Sequence, residues 1–213
     1  MKNSNLYSGE FACLEKANVD TDQIIPKQFL KSISKTGLGP YLFDAWRFLD
    51  EGFLGKKPSD RKINPDFILN KPTYSEINVL ISDDNFGCGS SREHAVWALK
   101  DFGINVVIAS SFGDIFFNNC FKNGVLAIKI SQDQINEIFS QQRQNSQKQI
   151  EIDLINQKIK IPNIKLIDFE IDEFRKNCLL EGLDDIGFSL KYETEISNYE
   201  NKLKQLRPWI LNE

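Results

Sequence analysis

The segment INVLISDDNFGCGSSREHA, residues 77–95, contains a strand, a glycine-rich turn and the start of a helix. Four of its first six residues, Ile77, Val79, Leu80 and Ile81, are apolar, and most of these are β-branched, which predicts a buried strand over 77–82. The residues that follow the turn at helical spacing are Ala95, Ala98, Leu99 and Phe102, before Gly103. They predict a helix over 91–102. The turn from Gly87 to Ser91 then directs backbone N–H groups and the positive end of the helix dipole towards one point, which suits an anion.

The same alternation of strand and helix continues along the chain. Strands are predicted over 106–110 and 125–130, with a helix over 113–122 between them. Strands connected by helices of this length favour a sheet with parallel neighbours and right-handed crossovers. A first strand is predicted over 9–17.

The C-terminal half predicts further strands and helices. Apolar residues alternate with polar ones on both sides of an Asn156-Gln157 turn, which predicts a β-hairpin. The other predicted elements are a helix over 132–140 followed by a solvated loop, a strand over 164–169, a helix from Asp172 to Gly182 and a polar helical tail over 184–213. The fold class is therefore α/β, with a central, partly parallel sheet, a β-hairpin and flanking helices. We expect a single domain over 1–213.

The segment that follows the first strand predicts a short helix over 28–33 and then a loop over 36–40. This loop contains Gly37 and Gly39 on either side of Leu38, so we expect it to be mobile. We also expect it to close over a substrate, with Leu38 touching an apolar substituent.

The overall composition excludes several classes of function. The 213 residues are 41% apolar, and 26 basic residues against 30 acidic ones give a net charge of −4. No basic stripe suited to nucleic acid is present. No run reaches the roughly 18 apolar residues of a membrane span. Residues 1–8 show no signal peptide, so we expect a cytoplasmic protein.

The four cysteines are scattered, at positions 13, 88, 120 and 178. Iron–sulfur and structural zinc sites normally show close pairs of thiols, and none is present here. The single histidine, His94, excludes a histidine cluster. We therefore expect no metal or cofactor to be bound by this chain alone.

Three motifs carry a resemblance to a known family. Residues 85–95, NFGCGSSREHA, are similar to the signature of the small, swivelling domain of the aconitase superfamily, and more closely to the family of small subunits of bacterial 3-isopropylmalate dehydratases. Residues 18–30, NVDTDQIIPKQFL, and 110–120, SSFGDIFFNNC, resemble two further blocks of this family. The match continues at 182–186, GLDDI, so it covers most of the chain in the family's order. The resemblance implies a layered β/β/α fold of the aconitase swivel type.

The resemblance also implies a reaction and the residues that perform it. In this family a hydroxyl group moves between neighbouring carbons by dehydration and rehydration, as in the isomerisation of 2-isopropylmalate to 3-isopropylmalate in leucine biosynthesis. Residue-by-residue matching makes Ser90 the base that removes a proton next to a carboxylate. It makes Arg92 the group that binds a substrate carboxylate. Ser91 is expected to donate to the backbone and a carboxylate, and a helix cap is an equally good interpretation.

Several other residues receive supporting roles. Asp22 matches an acidic position of the family and is expected to orient Arg92 or Ser90, with a turn cap as the alternative. Lys27 is expected to bind a second carboxylate, with a solvated lysine as the alternative. Gly87 and Gly89 let the backbone approach the substrate. For His94 we favour a structural hydrogen bond, for Cys88 a small buried filler, and for Arg47 packing.

The resemblance implies a missing half of the active site. The family removes hydroxide with one iron of a [4Fe–4S] cluster, and the cysteines of this chain are not spaced to hold one. We therefore expect a large subunit to supply the cluster in a heterodimer or heterotetramer, with a small dicarboxylate as substrate. Two alternatives stay open: a related hydro-lyase acting on citramalate, homocitrate or citrate, and a non-catalytic anion-binding module of the same fold.

Overall fold

The computed structural model describes residues 6–183, 185–207 and 209; part of the GLDDI motif and of the tail, namely 184, 208 and 210–213, lies outside them. The strands are β1 Leu6–Leu14, β2 Ile77–Ser82, β3 Val106–Ala109, β4 Leu126–Lys129, β5 Gln149–Asp153, β6 Lys158–Lys160 and β7 Ile167–Asp168. The helices are α1 Thr21–Ile24, α2 Asp44–Arg47, α3 Glu93–Phe102, α4 Asp114–Lys122, α5 Gln132–Asn145, α6 Glu173–Glu181, α7 Asp185–Leu190 and α8 Glu193–Leu206.

The strands form a seven-stranded sheet in the order β4-β3-β2-β1-β5-β6-β7. Strands β1 to β4 pair in parallel, and β5, β6 and β7 extend the sheet in antiparallel fashion. The α/β fold with a partly parallel sheet and a β5–β6 hairpin is therefore confirmed. Because β1, β2 and β3 are parallel neighbours, the segments that leave their carboxyl ends meet at one edge of the sheet.

Strand β2 and helix α3 are formed by the segment that opens the sequence. Strand β2 is buried along nearly its whole length, as expected for a parallel strand that is covered on both faces. Helix α3 buries Ala95, Val96, Ala98 and Leu99, and it ends at Gly103 with φ at 110°. A left-handed residue at this position commonly ends helices, and glycine adopts it without steric cost.

Helix α5 is longer than its sequence indicates, because a polar residue anchors its last turn. It continues to Asn145 instead of ending at Ser140. Gln142 is buried and its amide accepts from the N–H of Cys13 at 3.0 Å and donates to the carbonyl of Phe11 at 3.4 Å. The solvated loop predicted after Ser140 therefore begins only after Asn145, since Gln142 satisfies buried backbone groups of β1.

Two other predicted elements are shorter than expected. The strand predicted over 164–169 is reduced to β7, and the helix predicted over 28–33 is a single 3-10 turn, Lys27–Phe29. Pro26 precedes this turn. The aromatic ring of Phe29 stacks on Tyr41 at 4.3 Å and holds the turn against the segment that follows.

The loop over 36–40 is anchored to α3. The N–H groups of Gly37 and Gly39 donate to the carboxylate of Asp101 at 3.0 and 2.7 Å. From the other side, the guanidinium of Arg47 donates to the carbonyls of Pro40 and Leu42 at 3.3 and 3.4 Å. The packing role expected for Arg47 agrees with these contacts.

Leu38, within this anchored loop, is buried in the core with only 1% of its surface exposed. The expectation that Leu38 contacts a substrate was therefore wrong. The local glycine content indicated freedom of the backbone, but the charges of Asp101 and Arg47, which come from elsewhere in the sequence, tie the loop down.

Candidate active site

The glycine-rich turn lies between two other segments at the carboxyl ends of the parallel strands. On one side the N–H of Thr21 donates to the carbonyl of Cys88 at 3.0 Å. On the other side the N–H of Gly113 donates to the carbonyl of Phe86 at 2.9 Å. Isolated parallel bridges, Asp20 with Cys88 and Phe86 with Phe112, continue the sheet pairing at both places. The three family motifs of the sequence therefore meet at this turn.

Two glycines of the turn have a left-handed backbone, but the space around their Cα atoms differs. Gly87 has φ at +73°, and a Cβ atom there would lie 2.2 Å from the ring of Phe116. Gly89 has φ at +87°, but its nearest neighbour would be the Cβ of Asp20 at 3.4 Å. Gly87 is thus required by both conformation and packing, and Gly89 by conformation alone.

The backbone after the turn presents unpaired donors. Helix α3 begins at Glu93, and Arg92 is its N-cap without a side-chain cap. Within the described chain, no backbone N–H from Gly89 to His94 donates to a protein acceptor. Neither Ser90 nor Ser91 caps the helix, so the capping alternative for Ser91 was wrong. The predicted convergence of N–H groups on one point suits an anion or a developing oxyanion.

Ser90 is exposed and belongs to this stretch of unpaired donors. Its carbonyl accepts from the hydroxyl of the buried Thr21 at 2.8 Å, which fixes the backbone. Its own hydroxyl makes no hydrogen bond to any described residue. Ser90 also lines a cavity of about 230 Å³ together with Gly87, Gly89, Gly113, Asp114, Ile115 and Phe116.

The start of α4 lines the same cavity as Ser90. This proximity was not predicted from the sequence. Gly113 is the N-cap of α4 and carries no capping side chain, and the N–H groups of Asp114, Ile115 and Phe116 have no acceptor in the described chain. A Cβ on Gly113 would lie 2.5 Å from the carbonyl of Gly87. Gly113 in the third family motif was the available signal for this close approach.

Arg92 and Asp22 form a two-fold ion pair. One guanidinium nitrogen donates to each oxygen of the carboxylate, the longer contact being 2.7 Å. The Arg92 side chain is 15% exposed and that of Asp22 is 50% exposed. The structure therefore favours orientation of Arg92 over the turn-cap alternative for Asp22. Arginine has five N–H donors, so three of them remain for another carboxylate.

Lys27 is not brought to the turn by any contact. Its side chain is exposed, and within the described chain it has no polar partner. It follows α1 by three residues, at the start of the turn Lys27–Phe29. The structure thus joins Asp22 to the turn that carries Ser90, Ser91 and Arg92, and shows no contact between Lys27 and these residues.

The surroundings of His94 and Cys88 favour structural roles for both residues. The Nε2 atom of His94 lies 2.9 Å from the carbonyl of Ser32, and its ring lies 4.6 Å from that of Trp97. Burial, together with the charge of Asp20, raises the pKa of the Cys88 thiol. A raised pKa disfavours the thiolate, so Cys88 is unsuited to act as a nucleophile.

The described residues do not form a metal centre. No group of three or more His, Cys, Asp or Glu side chains among them is arranged to hold a metal ion. Burial raises the pKa of the Cys13 and Cys120 thiols well above their ordinary value. Among the described residues, the thiols are therefore not grouped as the ligands of an iron–sulfur cluster are. Among the same residues, no helix has both the length and the apolar character needed to cross a bilayer.

The comparisons with known proteins identify the family and the fold. The family model described as "Aconitase C-terminal domain" matches residues 1–133, and the chain belongs to this family. A crystal structure of 3-isopropylmalate dehydratase (leuD) from Methanocaldococcus jannaschii is similar with a TM-score of 0.63 and 28% sequence identity. The similarity covers 91% of this chain and 99% of that one. The aconitase swivel-type fold predicted from the motifs is confirmed.

Proposed function

We propose that this chain is the small subunit of a 3-isopropylmalate dehydratase. The observation that carries the proposal is the turn itself. Ser90 and Arg92 lie two residues apart among unpaired backbone donors, in a chain similar over 91% of its length to a 3-isopropylmalate dehydratase. The related reactions on citramalate, homocitrate or citrate use the same groups and are outcomes of the test below.

The chemistry assigned to this chain is removal of a proton from carbon. Ser90 Oγ accepts the proton from the carbon next to a carboxylate, and the electron pair of the broken C–H bond moves towards that carboxylate. Two of the remaining donors of Arg92 bind the carboxylate in bidentate fashion and stabilise the charge as it grows. The backbone N–H groups around Ser90 stabilise a negatively charged serine oxygen.

The turn is exposed to solvent, and this exposure supports the proposal that a partner subunit covers it. Ser90 and Ser91 are exposed, and so are two apolar side chains on the segments that contact the turn or α3: Ile33 at 98% and Ile115 at 53%. Ile115 lines the cavity of Ser90, and Ile33 follows Ser32, which contacts His94. We infer that a large subunit covers this face and carries the [4Fe–4S] cluster whose chemistry removes the hydroxyl group.

The proposed function is tested by anaerobic co-purification of this chain with its cognate large subunit. We expect the complex to convert 2-isopropylmalate in preference to citramalate, homocitrate and citrate, and the isolated chain to be inactive and free of iron. Preference for another of these acids would favour a related hydro-lyase. A complex that is inactive on all four would favour the anion-binding module, and an isolated chain with bound iron and activity would overturn the two-subunit assignment.

The ion pair of Arg92 predicts a loss of substrate binding in two variants. Arg92→Lys keeps the charge but loses the planar pair of donors, so we expect kcat/KM to fall about 10- to 100-fold. Asp22→Asn removes the negative charge that orients Arg92, and we expect a smaller loss, about tenfold, mainly in KM. The measurement is steady-state kinetics of the reconstituted enzyme.

Arg143→Lys is the matched control. Arg143 forms an exposed ion pair with Glu15 and does not line the cavity of Ser90. We expect its kinetics to equal those of the wild type. Equal effects of Arg92→Lys and Arg143→Lys would contradict the role of Arg92.

A further inference from the structure

The first turn of α3 carries a carboxylate next to the unpaired donors of the candidate site. Glu93 is the first residue of α3 and directly follows Arg92. No N–H group from Gly89 to His94 donates to an acceptor in the described chain. Acidic side chains in the first turn of a helix are attracted to its free N–H groups and are long enough to reach them. The carboxylate of Glu93 is therefore a competitor for the donors that suit an anionic substrate.

The structure places this carboxylate on a different partner. Oε1 of Glu93 accepts from the side-chain amide of Asn123, whose Nδ2 lies 2.8 Å away. Among the described residues, this amide is the only hydrogen-bond partner of the Glu93 side chain. Asn123 is the C-cap of α4, whereas Asp114, at the start of α4, lines the cavity of Ser90. The contact thus ties the carboxylate to the end of α4 that does not line this cavity.

The amide of Asn123 is fixed in this orientation by its other partners. Its oxygen accepts from Nε1 of Trp97 at 2.9 Å, and an indole nitrogen can only donate. Its second N–H group donates to the carbonyl of Asn119 at 2.9 Å. A reversed amide would place donor against donor at Trp97 and acceptor against acceptor at Glu93, so only one orientation satisfies the three contacts.

We propose that Asn123 is a positioning residue for the reaction, which holds the carboxylate of Glu93 off the glycine-rich turn; this inference rests on the proposed function. The turn then keeps its N–H groups for the anionic substrate and for the oxygen of Ser90. The restraint matters because a hydrogen bond from a backbone N–H to a carboxylate is about twice as strong as one to a neutral acceptor. A released Glu93 would occupy the turn as an internal competitor of the substrate.

The inference predicts weaker substrate binding when Asn123 loses its amide. In the reconstituted enzyme, we expect Asn123→Ala to raise the KM for 2-isopropylmalate about tenfold, because only the fraction of molecules with a free turn binds substrate. We expect kcat to stay within about twofold of the wild type, since saturating substrate displaces the carboxylate. The measurement is steady-state kinetics.

A second variant separates the charge of Glu93 from the structural role of Asn123. In Asn123→Ala/Glu93→Gln, KM should return to within about twofold of the wild type, because a neutral amide binds the N–H groups more weakly than a carboxylate does. The double variant does not restore the hydrogen bond between α3 and α4. A purely structural role of Asn123 therefore predicts no recovery.

Trp97→Phe is the matched control, because it removes another hydrogen bond of the same amide and leaves both of its N–H groups in place. We expect a lower thermal stability but a KM within about twofold of the wild type. A wild-type KM in Asn123→Ala, or a raised KM that Glu93→Gln does not restore, would overturn the inference and leave the proposed function intact. A wild-type complex that is inactive on 2-isopropylmalate and the three related acids would overturn both.

Discussion

Replacement of Ser90 by alanine is expected to lower kcat of the reconstituted enzyme by about a thousandfold, within the range of 10²- to 10⁴-fold that a positioned base contributes. The hydroxyl makes no hydrogen bond to any described residue, so its removal leaves no buried group unpaired. The backbone of Ser90 stays fixed by the hydroxyl of Thr21. We therefore expect unchanged folding and unchanged binding of the large subunit.

The neighbouring Ser91 gives the comparison that isolates this effect. Ser91 is equally exposed and lies on the same unpaired stretch of backbone, but it is assigned only a donor role. We expect Ser91→Ala to reduce kcat/KM about tenfold, in keeping with the loss of one hydrogen bond to a charged group. Near-normal turnover in Ser90→Ala, or a larger loss in Ser91→Ala, would show that Ser90 is not the base.

Gly87→Ala is expected to destabilise the fold by about 2–5 kcal/mol in total. The left-handed backbone costs a side-chain-bearing residue about 1–2 kcal/mol, and overpacking adds about 1–3 kcal/mol. The overpacking arises because the new methyl group would lie 2.2 Å from Phe116, which is only 2% exposed and cannot move into solvent. Thermal unfolding measures the loss, and activity should fall with it because the turn positions Ser90.

Gly89→Ala is the control for conformation without crowding. Its φ is similar, but its Cβ has no neighbour closer than 3.4 Å, so we expect only the backbone cost of about 1–2 kcal/mol. In the Gly87→Ala background, Phe116→Leu should recover part of the lost stability. In the wild-type background, Phe116→Leu should not raise the stability. Equal destabilisation by the two glycine variants would contradict the contact with Phe116.

Much of the fold could be predicted because its signals are local. Strand β2 was predicted with the bounds that the structure has, and α3, β3, α4 and β4 within two residues of theirs. The strands are short, nearly continuous apolar runs, the helices have apolar residues at helical spacing, and glycines or polar turns end each pattern. Helix α5 departs from its prediction because the contact that extends it, from Gln142 to β1, spans 129 residues of sequence.

The candidate site divides in the same way. The turn, its glycines and the two residues Ser90 and Arg92 were read from one short motif, since a strand followed by a glycine-rich turn and a helix defines the local backbone. The pairing of Arg92 with Asp22, across 70 residues, and the approach of α4 to Ser90 depend on which strands become parallel neighbours. Local patterns contain no information on that order beyond a preference for parallel neighbours.

The sequence alone determined that this chain is an α/β protein with an anion-suited turn and a serine and an arginine within it. Only the tertiary structure decided which charges pair in and around that turn. Asp22 binds Arg92, and Asp101 and Arg47 anchor the loop over 36–40, in which Leu38 is buried. The physical reason is that ion pairs and close glycine contacts act over a few ångströms in space, between residues whose separation along the chain leaves no periodic signal.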